Sequence, residues 1–545
     1  VLGILAESEL EGDDKARMEE EFVWFLETIG EFQFAVTRPY YLNHEKKAKN
    51  SGGLFSVTIN PYTCKGCMEC VETCDDGALV ATPQTAASIE RLRHDWEFWL
   101  DLPTTRPEFI RIDDLDECIG ALETLLLDKR NFGAMVCGDG SCVGCGEKTV
   151  LRLFTSTVTA LMQQRVARHL EKIDDLIARL EQHIRLRLAE RVDLSDTGAI
   201  SGIIESHRDS DLSLSELSEE LDAAHTAEPV DTEWLQRSTG LLDQLRHLQW
   251  LYRVGQTHQG RATMGITNAT GCSSVWGSTY PYNPYPFPWA NHLFQDSPSL
   301  ALGVFQGHMA KMADGFRAIR QAELELAGDY NPPQHDEFFT YFNWQQFSEE
   351  EWLLCPPVVA IGGDGAMFDI GFQNVSRLLA SGKPVRIIVL DTQVYSNTGG
   401  QACTSGFTGQ VSDMSAFGVA QHGKEETRKE MSLIAMAHRG AYVLQSSEAL
   451  PSHLLAGVIK GLNSRRPAIF QLHCPCPPEH GIGDDQAMHA AKLSLESRAF
   501  PFMTYDPDGG DSIAECLSLD GNPDTQAVWP LYELKYVDEE GEEQE

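Results

Sequence analysis

The chain has little positive charge and lacks any long apolar run. No uninterrupted apolar stretch reaches the roughly 18 to 20 residues that a membrane-spanning helix needs, and no basic region followed by an apolar core opens the sequence. We therefore expect a soluble, cytoplasmic protein with no membrane partner. Lys and Arg number 43 against 81 Asp and Glu, for a formal charge of -38. This balance argues against nucleic-acid binding, which depends on cations that neutralise phosphates.

Length and cysteine content indicate several domains and bound metal. At 545 residues the chain exceeds what one hydrophobic core usually supports. Its fourteen cysteines come without a secretion signal, so we expect reduced thiols. Because several of these cysteines are clustered, the pattern favours metal binding over disulfide bonds.

Residues 160–255 have the pattern of a helical hairpin. Apolar residues recur there at alternating steps of four and three, which predicts a long amphipathic helix with a narrow seam. A second helical run contains Trp234 and Leu245, and an acidic, Ser-rich stretch separates the two. We interpret the pair as an antiparallel helical hairpin with a structural or docking role and no chemistry. The seam of the first helix consists of Val166, Leu170, Ile173, Ile177, Leu180 and Ile184.

A mixed α/β pattern begins near residue 265. Residues 357–361 and 385–390 have the composition of buried strands, and 368–381 that of a helix between them. This order predicts two parallel strands joined by a right-handed crossover. Because the carboxyl ends of such strands form the ligand crevice of an open α/β sheet, the loops that follow them are candidates for a binding site.

Both strand ends carry groups suited to a diphosphate and its metal ion. The turn 362–365 is glycine-rich, so its backbone and the helix that follows can approach phosphate oxygens closely. Asp364 offers a carboxylate there, while Thr392 and the Val394 carbonyl lie after the second strand. These are the oxygen ligands that Mg²⁺ prefers. Gly-Asp-Gly alone is usually a turn, but a second polar motif at the next strand end favours a functional site.

The cysteines fall into two groups. Cys142 and Cys145 form a Cys-x-x-Cys pair, which suits zinc, a redox dithiol or an iron–sulfur cluster. The other ligands must come from elsewhere, and Cys272 and either Cys474 or Cys476 are candidates. The second group has the C-x₂-C-x₂-C-x₃-C spacing of bacterial ferredoxins, which is strong evidence for iron and sulfide. It consists of Cys64, Cys67, Cys70 and Cys74.

The ferredoxin-type run departs from the usual pattern in two ways. Asp75 replaces the proline that normally follows the fourth cysteine, and only one such run is present. In two-cluster ferredoxins the fourth cysteine of each run binds the other cluster. Either an upstream segment or subunit supplies the partner run, or the domain holds one cluster with Cys74 or Cys118 as the fourth ligand.

The order of these motifs resembles the pyruvate:ferredoxin oxidoreductases, within the 2-oxoacid:ferredoxin oxidoreductase family. The resemblance covers residues 50–85, 135–160 and 262–505, which correspond to the carboxyl-terminal portion of that family. It implies an α/β thiamine-diphosphate-binding fold whose parallel sheet is flanked by helices, plus a small ferredoxin-like segment. The motifs that carry it are Cys142-Val143-Gly144-Cys145-Gly146-Glu147, Asn268-Ala269-Thr270-Gly271-Cys272-Ser273-Ser274, residues 289–296, the turn at Asp364, and Tyr395-Ser396-Asn397-Thr398-Gly399-Gly400-Gln401.

The resemblance also implies roles for individual residues. Asp364, Thr392 and Val394 would hold Mg²⁺, and Asn397 would face the reacting carbons as the catalytic residue. A proximal 4Fe–4S cluster would bind Cys142, Cys145, Cys272 and a cysteine of the Cys474/Cys476 pair, for which we prefer Cys476. The residues expected to contact thiamine diphosphate are Glu147, Cys272, Gly363, Asp364, Gly365, Ala366, Thr392, Gln393, Val394, Tyr395, Ser396 and Asn397.

The function implied by the resemblance is oxidative decarboxylation of a 2-oxoacid, foremost pyruvate, with coenzyme A. Electrons would pass through at least two 4Fe–4S clusters to ferredoxin or flavodoxin, in a route that can run in reverse as carboxylation. An activating glutamate, a substrate-binding arginine and the coenzyme A site would come from upstream domains or a partner subunit, within a homo- or hetero-oligomer. Other 2-oxoacids such as 2-oxoglutarate, a non-redox thiamine decarboxylase or synthase, and an electron carrier with an inactive thiamine fold are the alternatives.

The sequence thus divides into segments of different expected roles. We expect a polar, helical segment, a ferredoxin-like segment, a connecting segment, a thiamine-diphosphate domain that contains the hairpin 160–255, and an acidic tail. Their boundaries are 1–55, 56–85, 86–134, 135–505 and 506–545.

Overall fold

The computed structural model separates the chain into two compact units, Val1–Phe132 and Gly133–Glu545. The division lies close to the boundary expected at residue 135. Cys67, Cys74, Cys118 and Cys137 lie outside the described residues, so the expectations for them stay predictions. The structure describes residues 12–30, 32–62, 64, 69–72, 77–110, 127–129, 142, 144–189, 231–277, 285–292, 295–412, 423–526, 528, 536–537 and 543–544.

The described part of the first unit is mainly helical. Helix α4 begins at a capping box in which Thr85 and Ser88 satisfy each other's backbone amides. Trp96 of this helix is buried and its ring stacks on Trp99 at 5.0 Å. The helices are α1 (Gly12–Ile29), a π-helix (Arg38–Leu42), α2 (Asn43–Lys47), α3 (Glu69–Glu72), α4 (Ala86–Asp101) and a 3₁₀ turn (Pro107–Phe109).

The alternating run 54–59 does not form the expected strand. Only an isolated bridge between Ala35 and Phe55 is present there. Leu54 and Val57 are exposed, and Phe55 is only half-buried where it stacks on Tyr40, so neither face of the segment is fully buried. Alternation predicts a strand only where a neighbouring strand and a buried face are available, and here the pattern was misleading.

The second unit is built on an eight-stranded sheet with the order β10-β9-β7-β8-β4-β3-β1-β2. The six strands from β7 to β2 are parallel, whereas β9 and β10 are antiparallel. Short hairpins pair β5 with β6 and β11 with β12. The strands are β1 (Gly265–Ala269), β2 (Trp289–His292), β3 (Val358–Gly363), β4 (Arg386–Asp391), β5 (Val394–Tyr395), β6 (Gln401–Ala402), β7 (Tyr442–Ser447), β8 (Ala468–His473), β9 (Met503–Tyr505), β10 (Leu517–Ser518), β11 (Tyr536–Val537) and β12 (Glu543–Gln544).

The predicted strand–helix–strand unit is confirmed, with a difference in its helix. β3 and β4 are parallel neighbours, and Gly363 lies opposite Leu390. Between them the chain first forms a π-helix, Gly365–Ile370, and then the α-helix Phe372–Ala380. The Gly371 amide donates to the Ala366 carbonyl at 2.7 Å, five residues back, which gives the first turn its π geometry. A single helix over 368–381 was therefore the wrong expectation.

Helices flank the parallel sheet. Their apolar sides share one core with the strands, which includes Phe316, Val358 and Ile387. Besides a 3₁₀ turn (Trp344–Gln346), the helices are α5 (Gly146–Ala189), α6 (Thr232–Arg253), α7 (Cys272–Gly277), α8 (Ser297–Ala327), α9 (Pro332–Thr340), α10 (Glu349–Leu353), α11 (Phe372–Ala380), α12 (Met431–Ala437), α13 (Pro451–Asn463), α14 (Pro477–His480), α15 (Ala487–Glu496) and α16 (Ile513–Cys516).

The long helix α5 begins at Gly146 rather than near residue 160 and is 44 residues long. Its second half packs against α6. Arg246 of α6 donates to Glu181 at 2.7 Å, and Arg253, farther along α6, pairs with Asp174, nearer the start of α5. The two helices are therefore antiparallel over this stretch.

A buried carboxylate joins this helix pair to α8. Glu325 of α8 accepts a hydrogen bond from the Trp234 indole at 2.5 Å, and Arg187 at the end of α5 approaches the same oxygen at 3.5 Å. Because a buried carboxylate is stable only with such partners, Glu325 fixes the position of both helices.

The expected acidic tail does not begin at residue 506. β10 pairs with β9, and Cys516 is buried in the core. Residues 517–518 thus complete the edge of the sheet, because the apolar residues Leu517 and Cys516 outweigh the surrounding acidic composition. Among the helices that the structure describes, none is both long and apolar enough to cross a membrane.

Truncating the seam of α5 tests whether the helix pair belongs to the core. We expect Leu180→Ala to lower the free energy of unfolding by about 3 kcal/mol, because a fully buried leucine leaves a cavity. Leu186→Ala on the same helix is the control, since Leu186 is 56% exposed and its loss should cost less than about 0.5 kcal/mol. Urea denaturation of both variants measures the difference, and equal stabilities would contradict this packing.

Candidate functional site

Five of the parallel strands send their following loops to one edge of the sheet. β3 is followed by Asp364, β4 by Thr392, and β7 by Glu448. β1 leads to Cys272 and β8 to the segment 474–476. The register pairs Asp391 at the end of β4 with His473 at the end of β8, so their loops start side by side. Parallel pairing thus brings together residues that lie up to two hundred positions apart.

Asp364 is buried at this edge and fully hydrogen-bonded. Its two carboxylate oxygens accept from the Gly365 amide at 2.9 Å and from the Ser405 hydroxyl at 2.7 Å. Burial raises the pKa of Asp364 well above its usual range, and the negative charge of the nearby Asp391 raises it further. A cation at this carboxylate would offset that cost.

Asp391 is the second buried carboxylate of the site. It accepts from the Gln471 amide at 2.8 Å and from the Gln393 backbone at 3.2 Å, with Arg428 at 3.8 Å. The bond to Gln393 closes a turn in which Gln393 has a left-handed backbone, with φ of 63°. Burial raises the pKa of Asp391 too, although Arg428 lowers it in part. This turn determines the direction of the next three residues.

Thr392 and Val394 present oxygen atoms to the same region. The Thr392 hydroxyl lies 3.0 Å from the Val394 carbonyl oxygen and 2.6 Å from the Ser396 hydroxyl. Thr392 and Val394 are both buried. One carboxylate, one hydroxyl and one carbonyl are an oxygen set that fits Mg²⁺, and the two raised carboxyl pKa values indicate where its charge is needed.

Contacts with Asp369 and Lys424 hold the neighbouring loop that carries Ser405. The Tyr395 hydroxyl donates to Asp369 at 2.9 Å, and Thr404 also donates to that carboxylate. The buried Lys424 ammonium donates to the carbonyls of Cys403 at 2.8 Å and Gly406 at 2.7 Å. These contacts keep the Ser405 hydroxyl on Asp364.

The Cys-x-x-Cys loop packs against the loop that follows β8. Gly146 donates to the Pro475 carbonyl at 3.1 Å, and a Cβ added at Gly146 would lie 2.8 Å from the Pro475 nitrogen. At Gly144 the backbone has φ of 69°, and an added Cβ would collide with the Asp484 carbonyl. Both glycines are thus required for Cys145 to reach the segment 474–476.

Three of the predicted thiol ligands lie near one another. The pKa of the Cys272 thiol is raised first by burial, and then by the charges of Glu147, Cys145 and Cys476. Burial raises the pKa of Cys145 to about 12 and that of Cys476 to about 11. Asn397 forms a hydrogen bond with Cys272 that partly lowers its pKa, so the predicted catalytic amide adjoins this thiol.

Such a group of thiols fits an iron–sulfur cluster in its chemistry. Burial keeps each thiol neutral in the metal-free protein, and only a strongly cationic centre would stabilise three neighbouring thiolates. Across the ranges that the structure describes, however, no three His, Cys, Asp or Glu side chains are already arranged as a ligand set. The assignment of these cysteines therefore stays a prediction.

The other cysteines are placed less closely. Cys142 is exposed, while the Lys148 ammonium donates to its backbone carbonyl. Cys474 is fully buried, and its thiol donates to the Leu472 carbonyl at 3.2 Å. Cys64 and Cys70 are exposed free thiols in the first unit.

Glu147 is buried at the first turn of α5, between the two groups of the site. Trp276 of α7 donates to it from the indole nitrogen at 2.9 Å. Burial raises the pKa of Glu147 to about 7, although the Trp276 hydrogen bond lowers it in part. A carboxyl with such a pKa can hold or release a proton near neutrality.

Several residues of the site were not identified from the sequence. Asp391 had a signal, because a charged residue ends an otherwise apolar strand. Ser405, Glu448 and His480 had none, since their partners come from distant segments. Glu448 follows β7 and is buried near Cys474, whose pKa it helps to raise.

Comparison with known proteins points to thiamine enzymes. Residues 353–472 match the family described as thiamine pyrophosphate enzyme, C-terminal TPP binding domain. The chain is 30% identical over 284 residues to the pyruvate:ferredoxin oxidoreductase of Moorella thermoacetica. This alignment covers 45% of this chain and 24% of the relative. It is 31% identical over 290 residues to the probable pyruvate-flavodoxin oxidoreductase of Escherichia coli, with 48% and 24% covered. The chain thus spans about a quarter of the length of these relatives.

A solved structure is also similar to part of the chain. The 2-oxoglutarate:ferredoxin oxidoreductase of Magnetococcus marinus aligns with a TM-score of 0.28 and 15% identity, covering 44% of this chain and 62% of that one. We draw no structural conclusion from a likeness at this level.

The buried Glu448 predicts a pH dependence of stability. Burial raises its pKa from 4.5 to about 8, although Thr149 lowers it in part. The folded chain therefore binds a proton that the unfolded chain releases, so stability falls as the pH rises from 4.5 to about 8. Glu448→Gln should remove this loss and be more stable than the wild type at pH 9 by roughly 5 kcal/mol.

Chemical denaturation of the metal-free protein between pH 5 and 9 measures this difference. The exposed Glu350 supplies the control, because Glu350→Gln should keep the pH profile of the wild type. A Glu448→Gln profile parallel to that of the wild type would show that the carboxyl is already ionised in the folded protein.

Proposed function

We propose that this chain, a member of the pyruvate:ferredoxin and pyruvate-flavodoxin oxidoreductase family, supplies the thiamine-diphosphate and proximal iron–sulfur sites of a 2-oxoacid oxidoreductase. Pyruvate is the proposed substrate, after the relatives' names. One observation supports the proposal above all. The buried carboxylate of Asp364 and the oxygens of the Thr392 loop share a sheet edge with the thiols of Cys145, Cys272 and Cys476.

Mg²⁺ would be held by Asp364, Thr392 and the Val394 carbonyl. The backbone of Gly363, Gly365 and Ala366 and the segment 393–396 would surround the diphosphate, where the small side chains at 363, 365 and 366 permit close approach. When bound, thiamine supplies the carbanion chemistry that releases CO₂ from a 2-oxoacid. Asn397 would contact substrate atoms, since it lies next to Cys272.

Cys142, Cys145, Cys272 and Cys476 would bind a 4Fe–4S cluster beside the thiamine site. We favour Cys476 over Cys474 because the Cys476 thiol interacts with Cys272 and with the Ser396 hydroxyl. Cys474 instead donates back to its own strand. The cluster would accept electrons singly, and a ferredoxin-like centre at Cys64, Cys67, Cys70 and Cys74 would pass them to ferredoxin or flavodoxin.

Glu147 would hold a proton close to both sites. It is buried beside Trp276, and its pKa of about 7 allows it to be protonated or ionised as the charge nearby changes. Its negative charge raises the pKa values of Cys145 and Cys272.

The complete reaction would require more protein than this chain contains. The chain spans 24% of the length of the relatives described above. We propose that further domains or a partner subunit carry the activating glutamate, the substrate arginine and the coenzyme A site. The 2-oxoacid and coenzyme A would then yield acyl-CoA and CO₂, with two electrons passing to the acceptor. The part of α5 that follows residue 160, together with α6, would belong to an insertion over 160–255 with a structural or docking role.

Anaerobic purification of the chain with the proteins that bind it tests this function. We expect pyruvate and coenzyme A together to reduce an artificial dye, faster than 2-oxoglutarate does. Asp364→Asn should weaken Mg²⁺–thiamine diphosphate binding by more than about 100-fold and abolish dye reduction, because a metal ligand is lost. Calorimetry and dye absorbance provide the two measurements.

Asp508→Asn is the matched control for this substitution. Asp508 pairs with Arg466 at the exposed edge of the sheet, away from the carboxyl ends of the strands. Its loss should leave cofactor affinity unchanged. Cofactor binding without electron transfer from any 2-oxoacid would support a non-redox thiamine enzyme instead.

Iron content tests the proposed cluster. The purified chain should contain at least about four iron atoms for the proximal cluster, and Cys272→Ser should remove that number. Cys516→Ser is the control, because Cys516 is a buried free thiol near the antiparallel edge. Equal iron in both variants, measured by colorimetric assay, would exclude Cys272 as a ligand.

A further inference from the structure

His480 connects two of the loops that form the site. The backbone amide of Cys476 donates to its Nδ1 atom at 3.2 Å. On the other side of the ring, Nε2 lies 2.8 Å from the carbonyl oxygen of Thr392. One imidazole therefore spans the loop after β8 and the loop after β4.

These two contacts determine the tautomer of the ring. Because the Cys476 amide donates to Nδ1, that atom carries no proton. Nε2 must then carry the proton and donate it to Thr392, so the ring is a neutral imidazole. This arrangement uses both nitrogens, and neither is left to bind a metal ion.

The ring is held in place from several sides. The His480 amide donates to the Cys476 carbonyl at 2.8 Å and closes the single turn of α14. The ring lies nearly parallel to that of His473, with centroids 6.5 Å apart. His473 approaches the Asp391 carbonyl at 3.2 Å with Nδ1 and the Ser494 hydroxyl at 3.2 Å with Nε2. Both histidine rings thus contact backbone carbonyl groups at the carboxyl end of β4.

We propose that His480 is a positioning residue that holds the loop after β8, which carries Cys476, against the loop after β4, which carries Thr392. It contacts the backbone of Cys476, the proposed cluster ligand, and of Thr392, the proposed magnesium ligand. The inference rests on the function proposed above and adds a coupling between its two centres. His480 itself is not among the proposed ligands of either centre.

A rigid bridge of this kind makes the two sites depend on each other. When Mg²⁺–thiamine diphosphate binds the Thr392 loop, a shift of the Thr392 carbonyl would pass through His480 to the backbone of Cys476. Thermodynamic linkage requires the reverse effect to be of equal size. Cofactor binding should therefore change the midpoint potential of the proximal cluster, and the redox state of the cluster should change cofactor affinity.

His480→Leu tests the bridge, because leucine fills the space without hydrogen-bonding groups. In cluster-loaded protein we expect Mg²⁺–thiamine diphosphate to bind about 5- to 10-fold more weakly, the effect of about one lost hydrogen bond. The cofactor-induced shift in cluster potential should shrink by more than half. His480→Gln should restore both properties, since its amide can accept from Cys476 and donate to Thr392.

Two further variants separate positioning from folding. His480→Asn keeps an acceptor near Cys476 but is too short to reach Thr392, so it should behave as His480→Leu does even if the leucine variant folds poorly. His438→Leu is the matched control, because His438 pairs with Ser376 at 3.3 Å before β7 begins, at the opposite end of the sheet. It should change neither affinity nor potential.

Calorimetry and a potentiometric titration followed by electron paramagnetic resonance give the two readouts. Wild-type affinity and an unchanged potential shift in the leucine and asparagine variants would overturn the inference. So would the absence of any cofactor-induced shift in the wild type. Failure of the wild type to bind cofactor or iron at all would instead refute the proposed function.

Discussion

Two buried carboxyl groups, those of Asp364 and Asp391, lie at the ends of adjacent strands of the sheet. The ionised form of each is destabilised by the ionised form of the other. Burial removes both from water, and proximity adds repulsion, so each must be protonated or meet a positive charge. The surrounding contacts follow from this constraint. Ser405 and the Gly365 amide satisfy one carboxylate, while Gln471 and Gln393 satisfy the other. In the proposed function, a divalent cation between Asp364 and the oxygens of Thr392 and Val394 would offset the remaining negative charge.

Helix α5 links the position of the thiols to the packing of the helices. Its first turn carries Glu147 beside Cys145, and its last turns pack against α6 and reach the buried Glu325. Because an α-helix is stiff along its axis, packing at the far end limits the movement of Cys145 at the near end. The helix pair therefore contributes to the position of Cys145 at the site.

Local patterns revealed the parts of this site that lie within one segment. Apolar runs identified β3 and β4, and the polar motifs after them identified Asp364 and Thr392. Ser405 and His480 remained hidden because each gains its role from a partner in another loop. The run at 54–59 had the alternation of a strand, but it forms only the single bridge between Ala35 and Phe55. Residues 517–518 have acidic neighbours in the sequence, yet they form a strand at the edge of the sheet.

The geometry between the two proposed centres depends on the register of β4 and β8. Asp391 lies opposite His473, and Gln471 of β8 donates to the Asp391 carboxylate. A slip of one residue would turn every side chain of one strand to the other face and remove that hydrogen bond. It would also displace the Cys476 loop from the Thr392 loop by about 3.3 Å along the strand. In the proposed function, electron transfer between cofactor and cluster would rely on the same backbone pairing that keeps two buried acids satisfied, so a stable sheet and a fixed donor–acceptor distance would depend on the same residues.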